Sequence, residues 1–307
     1  MGRIFVTRAL PFPALDRLAA EHELDVWEGD LPPGPDAMRE RTAAADGLLS
    51  LVTDPVGAEL LAASPDLKAI ANMAVGTDNI DLEAAAERGI PVGNTPDVLT
   101  DATADLAFAL LLALARRIPE GEAQVREGRW RTWEPARGLG ADLAGATLGI
   151  VGRGRIGDAV ARRAEGFGMD VLAHSRRSGV PLEELLERAD FVSLHCPLTP
   201  ATWHLIGTEA LARMKPDAYL INTARGGVVD QTALRLALLA GEIAGAALDV
   251  TDPEPLPADD PLLEAPNLIV VPHVGSATMR TRERMAEMAV ENLLAALAGH
   301  PMPYPAT

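Results

Sequence analysis

The chain has one cysteine, Cys196, among 307 residues, which excludes an internal disulfide and leaves no thiolate cluster for a metal, so no metal site is expected. Lysine is nearly absent: Lys68 and Lys215 are the two copies, neither within a chemical motif, and arginine supplies most of the positive charge. Long hydrophobic runs are missing as well. The longest, LAFALLLALA (106–115), is too short to span a bilayer and is bounded by Asp105 and Arg116, so it reads as a buried helix. The opening MGRIFVTRALP lacks the long apolar core of a signal peptide, and a cytoplasmic location is expected. Positive charge is in deficit overall, with a formal net charge of −17. Such a surface repels phosphate backbones and anionic lipid, which argues against nucleic-acid and membrane partners. It also means that an anionic substrate needs a concentrated local positive site.

What is present is alternation. The runs RIFVT (3–7), LDVW (24–27), GLLSL (47–51) and LKAIAN (67–72) read as strands separated by alanine-rich helical segments, and PVGNTP (91–96) reads as a boundary. A nearly all-apolar helix is expected over 100–117. A second series follows: ATLGIV (146–151), DVLA (170–173), FVSLH (191–195), AYLIN (218–222), GAALDV (245–250) and LIVVP (268–272), with a last amphipathic helix over 279–297. Strand–helix alternation of this kind predicts parallel sheets with helices on both faces, in two α/β domains. No repeat of solenoid period is present.

The second series opens with a phosphate-binding turn, GRGRIG (152–157), directly after a strand. Gly152 allows the tight turn, Gly154 lets a pyrophosphate approach the backbone, and Gly157 lets helix and strand pack closely. The helix start, with Arg155 and Ile156, offers free N–H groups and partial positive charge to the phosphates. A dinucleotide is therefore the expected cofactor. About 20 residues further on, where an acid normally meets the adenosine ribose, the sequence instead reads VLAHSRRSG (171–179). A hydroxyl and a guanidinium at Ser175 and Arg176 suit a 2′-phosphate, so NADP(H) is expected over NAD(H). The alternative is that Arg176 and Arg177 are solvated loop charges and NAD(H) binds without an acid.

Three further residues lie at or beyond carboxyl ends of expected strands, where open α/β sheets place their sites. Arg225 follows LIN in LINTARGGVVD, Glu254 lies in LDVTDPEPLP, and His273 follows VVP in VVPHVGSAT. Each has an ordinary structural explanation on its own. Together they supply what reduction of a 2-oxo acid requires: a fork of donors for a carboxylate, an imidazolium that protonates the carbonyl oxygen, and a carboxylate that keeps the imidazole charged. His22, His174, His195, His204 and His300 are weaker candidates.

The ordered motifs NMAVGTDNIDLEAA (72–85), NTPDVLTDATADLAFALLLALARR (94–117), VGRGRIG (151–157), MKPDAYLINTARGGVVD (214–230), GAALDVTDPEPL (245–256) and PHVGSAT (272–278) resemble the D-isomer-specific 2-hydroxyacid dehydrogenases over essentially the whole chain. The branch most resembled is glyoxylate reductase/hydroxypyruvate reductase. The resemblance implies a Rossmann cofactor domain (98–285) inserted into a flavodoxin-like substrate domain (1–97 and 286–307), with the two long helices as crossings. It implies that Arg225 binds the substrate carboxylate, His273 is the acid/base and Glu254 its partner. It further implies that backbone N–H groups of Val75 and Gly76 hold the carboxylate, Asp249 meets the nicotinamide amide, and Thr103 lies near the cofactor. Trp133 would reach the neighbouring subunit's substrate site in a homodimer formed through the cofactor domain. The expected reaction is reduction of glyoxylate or hydroxypyruvate. The rivals are an NADH-linked D-lactate or phosphoglycerate enzyme and a dinucleotide-sensing protein of the corepressor type. Two departures stand out: the 177–181 segment is shorter than in many relatives, and Thr77 stands where an aromatic is common.

Overall fold

Short apolar runs between turn formers build the first sheet. In the computed structural model, which describes residues 1–176 and 178–306, the chain begins with β1 (Arg3–Val6), α1 (Ala14–Ala19), β2 (Glu23–Val26), α2 (Pro35–Ala43) and β3 (Gly47–Ser50). It continues with α3 (Ala58–Ala62), β4 (Ala69–Asn72), α4 (Leu82–Glu87) and β5 (Val92–Gly93). The strands lie in the order β2-β1-β3-β4-β5, every pairing parallel. This is the flavodoxin-like order. Successive side chains leave a strand on opposite faces. Ile4 and Val6 accordingly pack with Leu18 of α1, while Phe5 between them packs with Met38 of α2 and Leu61 of α3. Burying a side chain such as Phe5 completely is worth about 1.5–3 kcal/mol. Both faces are covered, which is why β3 and β4 bury every residue.

The second unit, Thr100–Ser276, starts with α5 (Thr100–Ala115) and α6 (Ile118–Arg126). Its strands and helices then alternate as β6 (Thr147–Val151), α7 (Arg155–Gly166), β7 (Asp170–Ser175), β8 (Ser178–Gly179), α8 (Leu182–Arg188), β9 (Phe191–Leu194) and α9 (Thr208–Arg213). The series closes with β10 (Tyr219–Asn222), α10 (Gln231–Ala240), β11 (Gly245–Leu248) and β12 (Leu268–Val270). The sheet order is β12-β11-β10-β9-β6-β7-β8. The direction of build-up reverses between β6 and β9, which makes their carboxyl ends the topological switch point. One face of the sheet packs Leu148 and Ile150 against Ala104, Leu111 and Val160, and the other packs Val151, Leu194 and Leu220 against Leu185, Leu211 and Leu234.

The architecture agrees with two parallel-sheet α/β domains, and several details differ from expectation. β8 pairs antiparallel with β7, so the outer edge of the second sheet is a hairpin and not a further parallel strand. The first long helix ends at Ala115, where Arg117 takes a left-handed backbone, φ 51°, and α6 begins. No residue pattern marks α6 in advance, because none of its residues is buried and it lacks a core-facing stripe. The return to the first unit falls between Ser276 and Ala277, not at 285. The reason is that α11 (Met279–Leu297) packs along its length on the first sheet, through Met285, Ala286, Ala289, Val290 and Leu293. Within its own unit α5 packs on α7, β10 and β11. No helix among the described residues is long and apolar enough to cross a membrane.

Candidate active site

The turn after β6 shows why three glycines are needed. Gly152 has φ +106°, and a Cβ there would fall 2.6 Å from the backbone of His195 and Cys196. A Cβ on Gly157 would lie 2.1 Å from the Gly152 carbonyl oxygen, so helix α7 packs on the turn only because that side chain is absent. Gly154 differs: its Cβ would meet nothing within 4 Å. No protein packing demands glycine there, and the open space fits the close approach of a pyrophosphate to the helix start. Arg155 is exposed and Ile156 is half-buried against the core. Arg153 forms an ion pair with Asp158 across the same turn.

Beyond β7 the hairpin brings Ser175 opposite Ser178. The Ser175 hydroxyl closes the hairpin, donating to the Ser178 carbonyl at 3.0 Å and accepting from the Ser178 N–H at 3.2 Å. Arg176 is exposed at its tip, and Arg177 lies outside the described residues.

His273, Glu254, Asp249 and Thr103 come together at the ends of β11 and β12. His273 has a left-handed backbone, φ 51°, which for a residue with a side chain costs about 1–3 kcal/mol and persists only where the surroundings enforce it. The enforcement is visible. The His273 N–H donates to Asp249 O at 2.8 Å and Val271 O at 3.0 Å. The next two N–H groups, of Val274 and Gly275, donate to the two carboxylate oxygens of Asp249 at 2.6 and 2.9 Å. The Thr103 hydroxyl donates to the Gly275 carbonyl, and a Cβ on Gly275 would lie 3.0 Å from Asp249 Oδ2. Burial pushes the Asp249 carboxyl above the usual carboxylate range, against the pull of those N–H groups. Asp249 is thus first a brace for the histidine turn.

The imidazole is aimed by Glu254. His273 Nδ1 lies 2.8 Å from Glu254 Oε2, and the other carboxylate oxygen accepts from the Thr251 N–H at 3.0 Å. A carboxylate only accepts, so Nδ1 carries the proton of this bond and Nε2 is the nitrogen left for substrate. Arg225, half-buried, follows β10 in extended backbone and leads into a tight 3₁₀ turn, Gly226–Val228. A Cβ on Gly226 would lie 2.0 Å from the Thr251 carbonyl. The arginine turn therefore rests directly on the segment that holds Glu254.

Sequence reasoning missed the groups that fix these turns. Asn222 accepts from the Ala224 N–H at 3.0 Å and donates to the Arg225 carbonyl at 2.9 Å, which shapes the backbone around the arginine. His195 sits beneath the glycine turn, its ring nitrogens 2.8 Å from Ser193 Oγ and 3.4 Å from Thr223 Oγ1. Desolvation pushes this imidazole down to about 4, so it is neutral at pH 7. The pattern asparagine–threonine after a strand was the one available signal for Asn222, since buried amides beside loops commonly replace missing backbone partners. Val75 and Gly76 lie in the first unit, in the loop after β4. Trp133 is 80% exposed and touches none of these groups among the described contacts.

Residues 108–275 match the family model for the D-isomer specific 2-hydroxyacid dehydrogenase NAD binding domain. A glyoxylate reductase of Korarchaeum cryptofilum is 54% identical over 305 residues, covering 95% of this chain and 92% of that protein. Among solved structures, the TT0316 protein of Thermus thermophilus superposes with a TM-score of 0.95 at 53% identity, over 99% of this chain and 100% of that one. An NADPH-dependent glyoxylate/hydroxypyruvate reductase of Sinorhizobium meliloti, solved with NADP and malonate, gives a TM-score of 0.85 at 36% identity, over 99% of this chain and 96% of that one. With this agreement over nearly its full length, the chain belongs to the D-isomer-specific 2-hydroxyacid dehydrogenase family.

Proposed function

We propose that the protein reduces small 2-oxo acids, glyoxylate or hydroxypyruvate, to the D-2-hydroxy acid with NADPH. The His273–Glu254 pair at 2.8 Å, braced against the arginine turn, is the observation that carries this reading. The glycine turn would hold the pyrophosphate of a bound dinucleotide, whose reduced nicotinamide would supply the hydride to C2. His273 donates a proton from Nε2 to the carbonyl oxygen, and Glu254 stabilises the imidazolium before the transfer. Arg225 holds the carboxylate, which gives an anion a local positive site on a chain of net charge −17, and in the first unit the N–H groups of Val75 and Gly76 are read as carboxylate donors. Asp249 and Thr103 bear on the nicotinamide side through the turn they brace.

NADP(H) is preferred in this reading because Ser175 and Arg176 stand where an acid would repel a 2′-phosphate. The S. meliloti relative, NADPH-dependent by name, supports it. Initial rates with glyoxylate and hydroxypyruvate, each with NADPH and NADH at equal concentration, test both parts. Turnover with strong NADPH preference is expected. NADH preference would keep the reaction and make Arg176 a solvated charge, with NAD(H) as the cofactor. Tight dinucleotide binding without turnover would favour the sensor reading.

A homodimer formed through α6 and the residues after it is the second proposal. The apolar Ile118, Val125, Trp130, Trp133 and Leu139 are all exposed on this segment, and a second copy covering them would bring Trp133 to its neighbour. Sedimentation equilibrium should return twice the chain mass; a monomer at micromolar concentration would refute it. The composition, with one cysteine, is in keeping with a cytoplasmic enzyme.

A further inference from the structure

In the loop after β4, three successive peptide carbonyls are held by donors from the same unit. Ala74 O accepts from the Thr95 N–H at 2.9 Å, Val75 O from Asn94 Nδ2 at 2.8 Å, and Gly76 O from Asn72 Nδ2 at 3.0 Å. A trans peptide is planar and its N–H points opposite to its C=O. Pinning these carbonyls therefore turns the N–H groups of Val75, Gly76 and Thr77 away from the donors that hold them. All three residues are half-buried, whereas the asparagine that holds the last carbonyl is fully buried.

Asn72 and Asn79 are themselves held at both ends of the amide. Asn72 Oδ1 accepts from Ser50 Oγ at 3.2 Å, and its Nδ2 also donates to Asn79 Oδ1 at 3.0 Å. Asn79 in turn donates to the carbonyls of Leu51 and Asp54 at 3.0 and 2.9 Å. The backbone of Asn94 is tied to α11, its carbonyl accepting from Asn292 Nδ2 at 3.0 Å. Gly93 permits that approach, since a Cβ there would lie 2.4 Å from the same Nδ2. These amides cluster at the carboxyl ends of β3, β4 and β5, on the site-bearing edge of such a sheet. The construction concentrates donors without a cation, in a chain whose two lysines lie elsewhere.

Beyond the Val75 and Gly76 N–H groups already assigned to the carboxylate, we propose that the Thr77 N–H is a third donor and that Asn94 and Asn72 are the positioning residues of this loop. The proposal rests on reading this loop as a carboxylate holder, adds Thr77 N–H as a third donor, and names the side chains that aim two of the three.

The test is Asn94→Ala in the full chain. It compares kcat and KM for glyoxylate and for its uncharged methyl ester, with the Kd of NADPH and of the unreactive carboxylate oxamate. A charge-assisted hydrogen bond misaligned here should lower kcat/KM for glyoxylate about tenfold, mainly through KM, and weaken oxamate to the same degree. The ester and the NADPH Kd should change little. Equal losses for acid and ester would mean a merely structural asparagine and would overturn the proposal, as would no change in either. If the wild-type chain turned over neither substrate but bound oxamate, and Asn94→Ala bound it about tenfold more weakly, the cradle would stand and the reductase reading would fall. Asn72→Ala, which frees the next carbonyl, makes the same comparison should Asn94→Ala unfold.

Discussion

Arg225→Ala is expected to lower kcat/KM for the 2-oxo acid by about 3–4 kcal/mol of transition-state stabilisation, a factor of several hundred. A guanidinium presents two parallel N–H donors to a carboxylate, and alanine leaves that charge desolvated without a partner. The arginine backbone is fixed independently of its side chain, by Asn222 and by the contact of Gly226 with Thr251, so the turn should survive the substitution. Dinucleotide affinity should accordingly stay near wild type. Arg225→Lys should recover only part of the loss, since an ammonium restores charge but not the fork. Near-normal kcat/KM in Arg225→Ala would remove Arg225 from the proposed site.

His273→Ala should lower the reduction rate by about 10²–10⁴, the usual contribution of a positioned acid. Glu254→Gln is the more diagnostic partner. Glutamine can still accept from the Thr251 N–H, but it offers its amide N–H to Nδ1 and so favours the neutral ring with its proton on Nε2. Reduction uses the charged ring, so the alkaline fall-off of the rate should move to lower pH. An unmoved profile would show that Glu254 is not the partner that matters. The nearby imidazole of His195 does not confuse this assignment: held at about 4 by desolvation, it is already neutral across the range in which the profile is read.

The groups proposed to carry chemistry stand out in the sequence because they are tied to short-range rules. GRGRIG followed a β run, and Arg225, Glu254 and His273 each fell shortly after one; the sheet order then placed them at one edge. Strand positions were legible too, usually to within two residues, because buried parallel strands read as continuous apolar runs. What stayed hidden depends on partners distant in sequence. Nothing local in the sequence says that both oxygens of Asp249 brace Val274 and Gly275. Asn72 and Asn94 looked like members of motifs, and nothing local says that each holds a carbonyl several residues away. Helix α6 escaped because periodicity reports burial within one chain, and α6 has none. The end of the second unit was misplaced because α11 belongs wholly to the first sheet, a fact of packing that no motif spells out.

The β7–β8 hairpin has an implication for how such a protein can diversify. It hangs at one end of the seven-stranded sheet, while Arg225, Glu254 and His273 follow strands on the other half. Residues that would choose between coenzymes and residues that would transfer the proton are thus separate inheritable modules. Mutation can rewrite Arg176 at an exposed tip, at little risk to the strand ends where a displaced backbone would be fatal. A lineage can exchange one reducing currency of the cell for another and leave the reaction it drives untouched.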